Sequence, residues 1–593
     1  MLLSLCMIVK DEEENLEKCL KSVKNLADET IIIDTGSTDR TVEIAEGFGA
    51  KVLHFAWNDN FAEARNYSLS FAQGDWILVM DADDELEPGG IEKIIGLLQK
   101  AGKEELFCCK TLCYLGDQPD TGSILINMNI RLIRNNKGYR FSGRIHEQIA
   151  SCDGGCPCVH AADICFYHYG YLKDQIERKD KHRRNIGLIL KELNENPENA
   201  YMLFCMGNEY LATMKATKAL TYYRKSLLLT SIQAGYRSAL LVRMILCCDQ
   251  LRLSREMNHL IEEGIHSYPN LTDFLFFKAC ALQRGKKLES AIRCYKKCIR
   301  MGDPPLGSNS TMGISTYQAQ YSISIIYSQM GEYEKALRYC RAAVKSSPRF
   351  RDAVNKLLEL LLAKEYPSET LKNKMTRLVP KDFESYLMLS DIFYNHQLYD
   401  EALCLCRRAK RLRPGSTIAI YDEGVCKFYL QQYEGASRCF SRIKDGSLAA
   451  KAAWYQILCF ILGKGSLPRT SRCKKLLETP YYETATECFR LIYEEAGKPF
   501  TEKNPQKYQQ PVYNLLETLL GCGETQAFQK SLPLLSRIGD PASHLQLGKL
   551  YYKYGYEKSA YYELIRSIRK TGQIDAEGLS ILKKTYSADY KYD

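Results

Sequence analysis

The sequence predicts an α/β domain at its N-terminus followed by an all-α solenoid. Three observations carry this expectation. Strand-like apolar runs alternate with helical patterns over residues 1 to about 115. One of those runs, Trp76-Ile77-Leu78-Val79-Met80, stops at the carboxylates Asp81, Asp83 and Asp84. Beyond Asn196-Pro197 the strands give way to 3.6-residue periodicity carrying a 34-residue unit. A chain of 593 residues is too long for one core. The expected divisions are 1–175 for the α/β domain, 176–198 for a linking helix, 199–445 for regular repeats, and 446–593 for degenerate helical repeats ending in a regular-looking unit.

The composition narrows the function classes. There are 81 basic and 71 acidic residues, a formal charge of +10, and no basic block stands out, so nucleic acid is not implied. The start, Met1 to Lys10, is apolar but runs straight into Asp11-Glu12-Glu13-Glu14 without a basic region or cleavage site, and reads as a first strand with no signal peptide. No apolar run reaches the roughly 20 residues that span a bilayer. The 24 cysteines, many at apolar helical positions such as Cys205, Cys298 and Cys406, read as reduced core thiols of a cytoplasmic protein.

In chain order, Leu2–Val9, Thr30–Asp34, Lys51–Phe55 and Trp76–Met80 read as strands, with helices starting near Glu12, Thr38, Asn60 and Glu87. Each strand followed by a helix gives βαβ units and a mostly parallel sheet. Ligands bind beyond the carboxyl ends of such strands. At the end of the second strand, Asp34 is placed to accept the imide N–H of a uracil, or else to cap the turn Thr35-Gly36-Ser37-Thr38. At the end of the fourth, Asp81 and Asp83 stand one residue apart. Both can reach a hard cation such as Mg²⁺ or Mn²⁺ that also takes phosphate oxygens, which is chemistry for a nucleoside diphosphate. A solvated acidic turn is the plain alternative.

Four segments in order resemble glycosyltransferase family 2, which is inverting and of GT-A fold: Met7–Glu13, Ile33–Thr41, Phe55–Asn66 and Gly74–Asp84. The resemblance covers about the first 175 residues. It implies that Asp34 contacts the base, that Asp81 meets the ribose or the metal, that Asp83 binds the metal, and that Arg65 meets the nucleotide or its phosphates, where a guanidinium fits bidentately. Arg65 could instead pair with Glu63 or Asp59. The donor implied is a nucleotide sugar, a UDP-hexose.

Ile130–Arg134 alternates like an edge strand. Gly143-Arg144-Ile145-His146-Glu147 and His168-Tyr169-Gly170-Tyr171 then resemble signatures of the branch of family 2 that carries tetratricopeptide repeats, a branch that includes the S-glycosyltransferase of the bacteriocin sublancin. An inverting transfer needs a base near the attacking atom, and Glu147 suits that role. An imidazole at His168 or His146 could complete the shell of the cation. The plain readings are that Glu147 holds Arg144 or Arg131 and that His168 is a hydrogen-bonded core histidine. Between these segments, Cys152, Cys156, Cys158 and His160 could bind zinc, or could belong to a Gly-rich hairpin with reduced thiols.

In the repeat region Tyr386, Leu389, Ser390, Phe393, Ala402, Cys406, Ala409 and Pro414 fall at tetratricopeptide consensus places. Other copies centre on Gly207 and Ala219, Ala279 and Ala291, Ile323 and Ala336, Gly424 and Ala436, and Gly548 and Ala560. Stacked pairs form a superhelix with a concave groove. Gly302–Gly313 reads as an inserted loop, and the copies from about 445 to 540 as a break or second bundle. A nucleotide-sugar transferase fused to such a groove is expected to glycosylate a Cys, Ser or Thr side chain of a peptide or protein, with homo-oligomers through the repeats as a further possibility. The alternatives are transfer to a cell-surface polysaccharide or lipid-linked acceptor, and a tetratricopeptide scaffold with an inactive transferase head.

Overall fold

A computed structural model describes residues 2–114, 124–152, 158–170, 181–305, 310–467, 475, 477–494, 500, 504–572 and 574–586. The first strands are β1 (Leu3–Val9), β2 (Glu29–Asp34), β3 (Lys51–His54) and β4 (Trp76–Met80). They alternate with α1 (Leu16–Ser22), α2 (Thr41–Gly47) and α3 (Phe61–Leu69), and α4 (Gly90–Lys100) follows. Every residue of β4 is buried. Its alternation serves two helical layers. Trp76, Leu78 and Met80 join β1 side chains, Leu16 and Leu20 of α1, and Ile94 and Leu98 of α4. Ile77 and Val79 join Ile31, Ile33 and Ala62 of α3 on the opposite face. A strand covered on both faces needs apolar side chains at every position, which is why its sequence shows no polar alternation.

The remaining strands are β5 (Asp84–Leu86), β6 (Leu106–Tyr114), β7 (Ile124–Arg134), β8 (Tyr139–Ser142), β9 (Gln148–Ser151) and β10 (Val159–His168). The large sheet runs β3-β2-β1-β4-β7-β6-β10-β5, and β8 and β9 form a separate hairpin. Strands β3, β2, β1 and β4 are mutually parallel, as expected. The other half is mixed: β7 lies antiparallel to both β4 and β6, while β10 is parallel to β6. Residues Ile130–Arg134 therefore lie in an interior strand, which corrects the edge-strand expectation. The arginines that made the stretch look solvated are used inward: Arg131 is buried against Asp81 and Asp84.

The chain divides into two compact units, Met1–Ala363 and Lys364–Asp593. In the first, the helices are α5 (Lys181–Glu195), α6 (Ala200–Ala212), α7 (Ala216–Leu229), α8 (Arg237–Gln250), α9 (Ser254–Ser267), α10 (Thr272–Arg284), α11 (Leu288–Met301), α12 (Tyr317–Gln329), α13 (Tyr333–Ser346) and α14 (Arg351–Leu362). The expected start of the linking helix, before Lys181, lies outside the described residues. Small residues sit where paired helices close up: a Cβ on Gly207 of α6 would lie 2.3 Å from the Tyr223 ring of α7. The sheet domain and the first repeats share apolar core. Ile145 packs in one cluster with Leu188 and Ile189 of α5, Met202 and Met206 of α6, and Tyr223, and Trp57 and Phe61 lie against it. The inserted stretch after α11 is not all loop. Its strand β11 (Ser310–Thr311) pairs antiparallel with Leu125 and Ile126 of β7; residues 306–309 are outside the described set.

In the second unit the best consensus copy is the hairpin Phe383–Asn395 with Tyr399–Leu412, pinned by Ser390 Oγ donating to the Ala402 carbonyl at 2.9 Å. The degenerate stretch holds Ala449–Lys464, Thr479–Phe489 and Gln509–Gly521 around one apolar core that includes Ile457, Leu515, Leu519 and Phe528. A regular hairpin, Ser543–Lys553 with Glu557–Thr571, follows. Among the described residues no helix is long and apolar enough to cross a membrane, and the cysteines are free.

Candidate functional site

Strand ends bring the singled-out residues to one edge of the sheet. Asp34 ends β2 with its carboxylate almost fully buried. It accepts from the backbone N–H of Ser37 at 3.0 Å and of Gly36 at 3.2 Å, and meets His54 Nδ1 at 3.2 Å. Burial works against its charge, yet these hydrogen bonds, Ser37 first, hold its pKa below the usual carboxylate range. Gly36 adopts φ 103°, a conformation that a side chain would strain, so the turn can close over the carboxylate.

Immediately after β4, Asp81 sits between two guanidiniums. Arg65 of α3 donates through Nη2 to Asp81 Oδ1 at 2.6 Å and through Nε to Glu147 Oε1, and Arg131 of β7 reaches Asp81 Oδ2 at 3.3 Å. Neither Glu63 nor Asp59 takes Arg65, and Glu147 holds neither Arg144 nor Arg131; Arg144 is paired with Glu192 and Glu195 of α5. Burial opposes ionisation of Asp81, but the charges of Arg65 and Arg131 hold its pKa far down. Arg65 Nη1 is buried and has no hydrogen-bond partner among the described residues. Such an orphaned cationic donor is what a phosphate oxygen satisfies.

The third group is Asp83, Asp84 and His168, whose ligand atoms lie within 4.8 Å of one another. His168 ends β10, and its Nδ1 is 2.9 Å from Asp84 Oδ1 and 3.5 Å from Asp83 Oδ1. Asp84, fully buried, also accepts from the Asp81 N–H at 3.0 Å and from Arg131 Nη2 at 2.7 Å. Burial disfavours the imidazolium, but the Asp83 charge and the Asp84 hydrogen bond outweigh it, and the His168 pKa is pushed up to about 9. A carboxylate on one ring nitrogen orients the other toward a metal. The structure has a cradle for one. A Cβ on Gly170 would stand 2.2 Å from Asp83 Oδ2 and 2.8 Å from His168 Nε2, so two ligand atoms converge on a point that only a glycine leaves open; Lys181 Nζ, 3.0 Å from the same point, is a cation that pairs with Asp83 and is no ligand. Oxygen and imidazole donors fit Mn²⁺ or Mg²⁺.

Sequence reasoning did not assign Asp84, Arg131 or Lys181 to this cluster. Asp84 had a visible signal, being the third carboxylate of the run. Lys181 Nζ, 3.4 Å from Asp83 Oδ2 and 3.2 Å from the Gly170 carbonyl, had none. His146 lies away from the Asp83 cluster, beside Glu209 of α6. At the other sequence cluster, Cys158 Sγ is 3.5 Å from His160 Nε2, both exposed, while Cys156 lies outside the described residues.

Residues 4–118 match the family model described as glycosyl transferase family 2. The N-terminal part of the chain is a family 2 glycosyltransferase domain. A TPR repeat-containing protein of Synechococcus elongatus is 36% identical over 214 residues, covering 34% of this chain and 51% of that protein. The SPbeta prophage-derived glycosyltransferase SunS of Bacillus subtilis is 30% identical over 226 residues, 37% of this chain and 52% of its own length. The chain thus spans about half the length of these curated relatives. Among solved structures, a glucosyl-3-phosphoglycerate synthase from Mycobacterium tuberculosis, in complex with Mn²⁺ and UDP-glucose, is 25% identical over 18% of this chain and 43% of that one, with a TM-score of 0.17. The transferase domain and the helical repeats after it therefore match the sequence expectation of family 2 joined to tetratricopeptide repeats.

Proposed function

We propose that the protein is a divalent-cation-dependent, inverting glycosyltransferase that moves a hexose from a UDP-sugar to a Cys, Ser or Thr side chain of a polypeptide held by its repeats. The observation that carries this reading is the convergence of Asp34, Arg65, Asp81, Asp83 and His168 at the carboxyl ends of β2, β4 and β10, around the orphaned Arg65 Nη1 and the opening above Gly170. Asp83 and His168 would hold Mn²⁺ or Mg²⁺, with Asp84 fixing the ring; bound there, the cation neutralises charge on the leaving diphosphate. Asp34 faces the base and Arg65 meets a phosphate oxygen.

The remaining chemistry belongs to Glu147. Arg65 fixes its Oε1, and its Oε2 has no hydrogen-bond partner among the described residues. In an inverting transfer the acceptor oxygen or sulfur attacks the anomeric carbon from the face opposite the nucleotide. Its bond to carbon forms as the bond to the diphosphate oxygen breaks, the proton passes to Glu147 Oε2, and UDP leaves. A thiol acceptor asks less of this base, because it ionises near pH 8.5. The polypeptide acceptor is supported by the tetratricopeptide pattern of the helices, which suits a groove for an extended chain. The test is mass spectrometry of Cys-, Ser- and Thr-containing peptides incubated with a panel of nucleotide sugars and Mn²⁺. One added hexose on a side chain, absent when UDP-sugar or cation is withheld, is expected. Sugar found only on lipid or polysaccharide acceptors would overturn the polypeptide reading.

A further inference from the structure

The acceptor-side loop ends in a feature that the proposed chemistry does not use. His146 stands between Ile145, buried in the core of the first repeat, and Glu147, bound to Arg65. Its φ is 52°, a left-handed conformation uncommon for a residue with a side chain and kept only where the surroundings impose it. Its Nε2 is buried, has no hydrogen bond among the described residues, and lies 4.0 Å from Glu209 Oε1.

Glu209 comes from α6, the first helix of the first repeat hairpin, and is itself buried. It also binds the opening turn of α5. Oε2 takes His182 Nδ1 at 2.7 Å, and Oε1 accepts from Asn185 Nδ2 at 2.8 Å. That turn begins with Lys181, whose ammonium reaches Asp83. It also carries Arg184, whose guanidinium lies 5.3 Å from the Phe61 ring, and the Phe61 N–H donates to the Arg144 carbonyl at 2.8 Å. Two segments that touch the transferase site, the Gly143–Glu147 loop and the start of α5, thus converge on one repeat carboxylate. Asp83, Asp84 and His168 form the one metal-competent cluster found among the described residues, so the Glu209 group is not a second metal site.

We infer that Glu209 is a positioning residue for sugar transfer: the first repeat hairpin completes the transferase site by holding the loop that presents Glu147 and the helix start that presents Lys181. This rests on the transferase reading above. The two hydrogen bonds that Glu209 accepts, strengthened by its charge, fix the opening turn of α5, and the loop is held beside it by the packing of Ile145 and the 4.0 Å approach of His146 Nε2 to Glu209 Oε1. Displacing a catalytic carboxylate by about an ångström is enough to cost roughly 100-fold in rate.

The test compares Glu209→Gln, which keeps the shape, and Glu209→Ala in the full chain. Each is assayed for folded fraction, UDP affinity, kcat and donor KM, with hydrogen exchange of residues 143–147 and 181–185. We expect both variants to stay folded and to bind UDP within about twofold of wild type. Transfer kcat should fall roughly 10- to 100-fold, with faster exchange in both segments. Wild-type turnover in folded variants, or a rate loss that only follows a loss of folded protein while both segments exchange as before, would overturn the inference. If the wild type transfers no sugar, the functional reading fails by itself, and unchanged exchange in Glu209→Ala would still refute the positioning role.

Discussion

At the residue scale the site is a chain of charges in which each cation is shared: Arg65 pairs with Asp81 and Glu147, Arg131 with Asp81 and Asp84, and His168 with Asp83 and Asp84. Glu147 is braced through one oxygen by Arg65, which leaves the other open for the proposed role of base. Glu147→Gln keeps an oxygen for Arg65 but cannot take a proton. It should therefore melt within a few degrees of wild type while turnover on a hydroxyl acceptor falls by about 10²–10⁴ and falls less on a thiol. Calorimetry and steady-state kinetics on both acceptor types check this, and near-normal turnover on the hydroxyl acceptor would contradict it. Arg131 has the opposite character. It is buried between Asp81 and Asp84, and truncating one partner of such a group strands the others. Arg131→Ala should cost about 3–5 kcal/mol in denaturant unfolding. Asp34, Arg65, Asp81, Asp83, Glu147 and His168 could be picked from the sequence because strand-end carboxylates and short signatures are local patterns. Asp84, Arg131 and Lys181 were less legible, because an internal counter-charge looks like any other charged residue until its partners are brought to it by the sheet.

At the element scale the short strand β11 has a particular dependence on pH. Thr311 donates its N–H to Asp273 Oδ1 of α10 at 3.0 Å, while Asp273 Oδ2 and Ser310 Oγ are buried without partners among the described residues. Burial pushes the Asp273 pKa up to about 6, from the 3.8 usual for an aspartate. A carboxyl with a raised folded-state pKa favours folding in its protonated form. Its contribution is fully present below the unfolded pKa near 3.8 and is lost as pH rises through about 6. The loss is at most about 3 kcal/mol, from about 1.4 kcal/mol per pKa unit. Asp273→Asn still accepts from Thr311 and cannot ionise. Thermal unfolding should show it more stable than wild type at pH 8 and indistinguishable near pH 4; equal melting at both would contradict the assignment. The parallel strands and most repeat helices were legible because period and caps are local. The interior place of β7 and the pairing of β11 were not, since both depend on contacts between segments far apart in sequence.

At the scale of the whole molecule, the transferase domain is not a separate module with repeats attached behind it. The first compact unit runs to Ala363, and Ile145, β11 and Glu209 each join repeat helices to the transferase site. Periodicity located the change from strands to repeats near residue 198, which is a change of pattern; the packing carries on through it. The proposed function makes the edge formed by β2, β4 and β10 a cation-dependent nucleotide-sugar site. Isothermal titration of the full chain with UDP, with and without Mn²⁺, tests it most directly, using Asp83→Ala as the comparison. Binding by the wild type should tighten at least tenfold with Mn²⁺, and the Asp83→Ala variant should remain folded yet gain nothing from the cation. Equal UDP affinity with and without Mn²⁺ in the wild type, or a full Mn²⁺ response in Asp83→Ala, would contradict it.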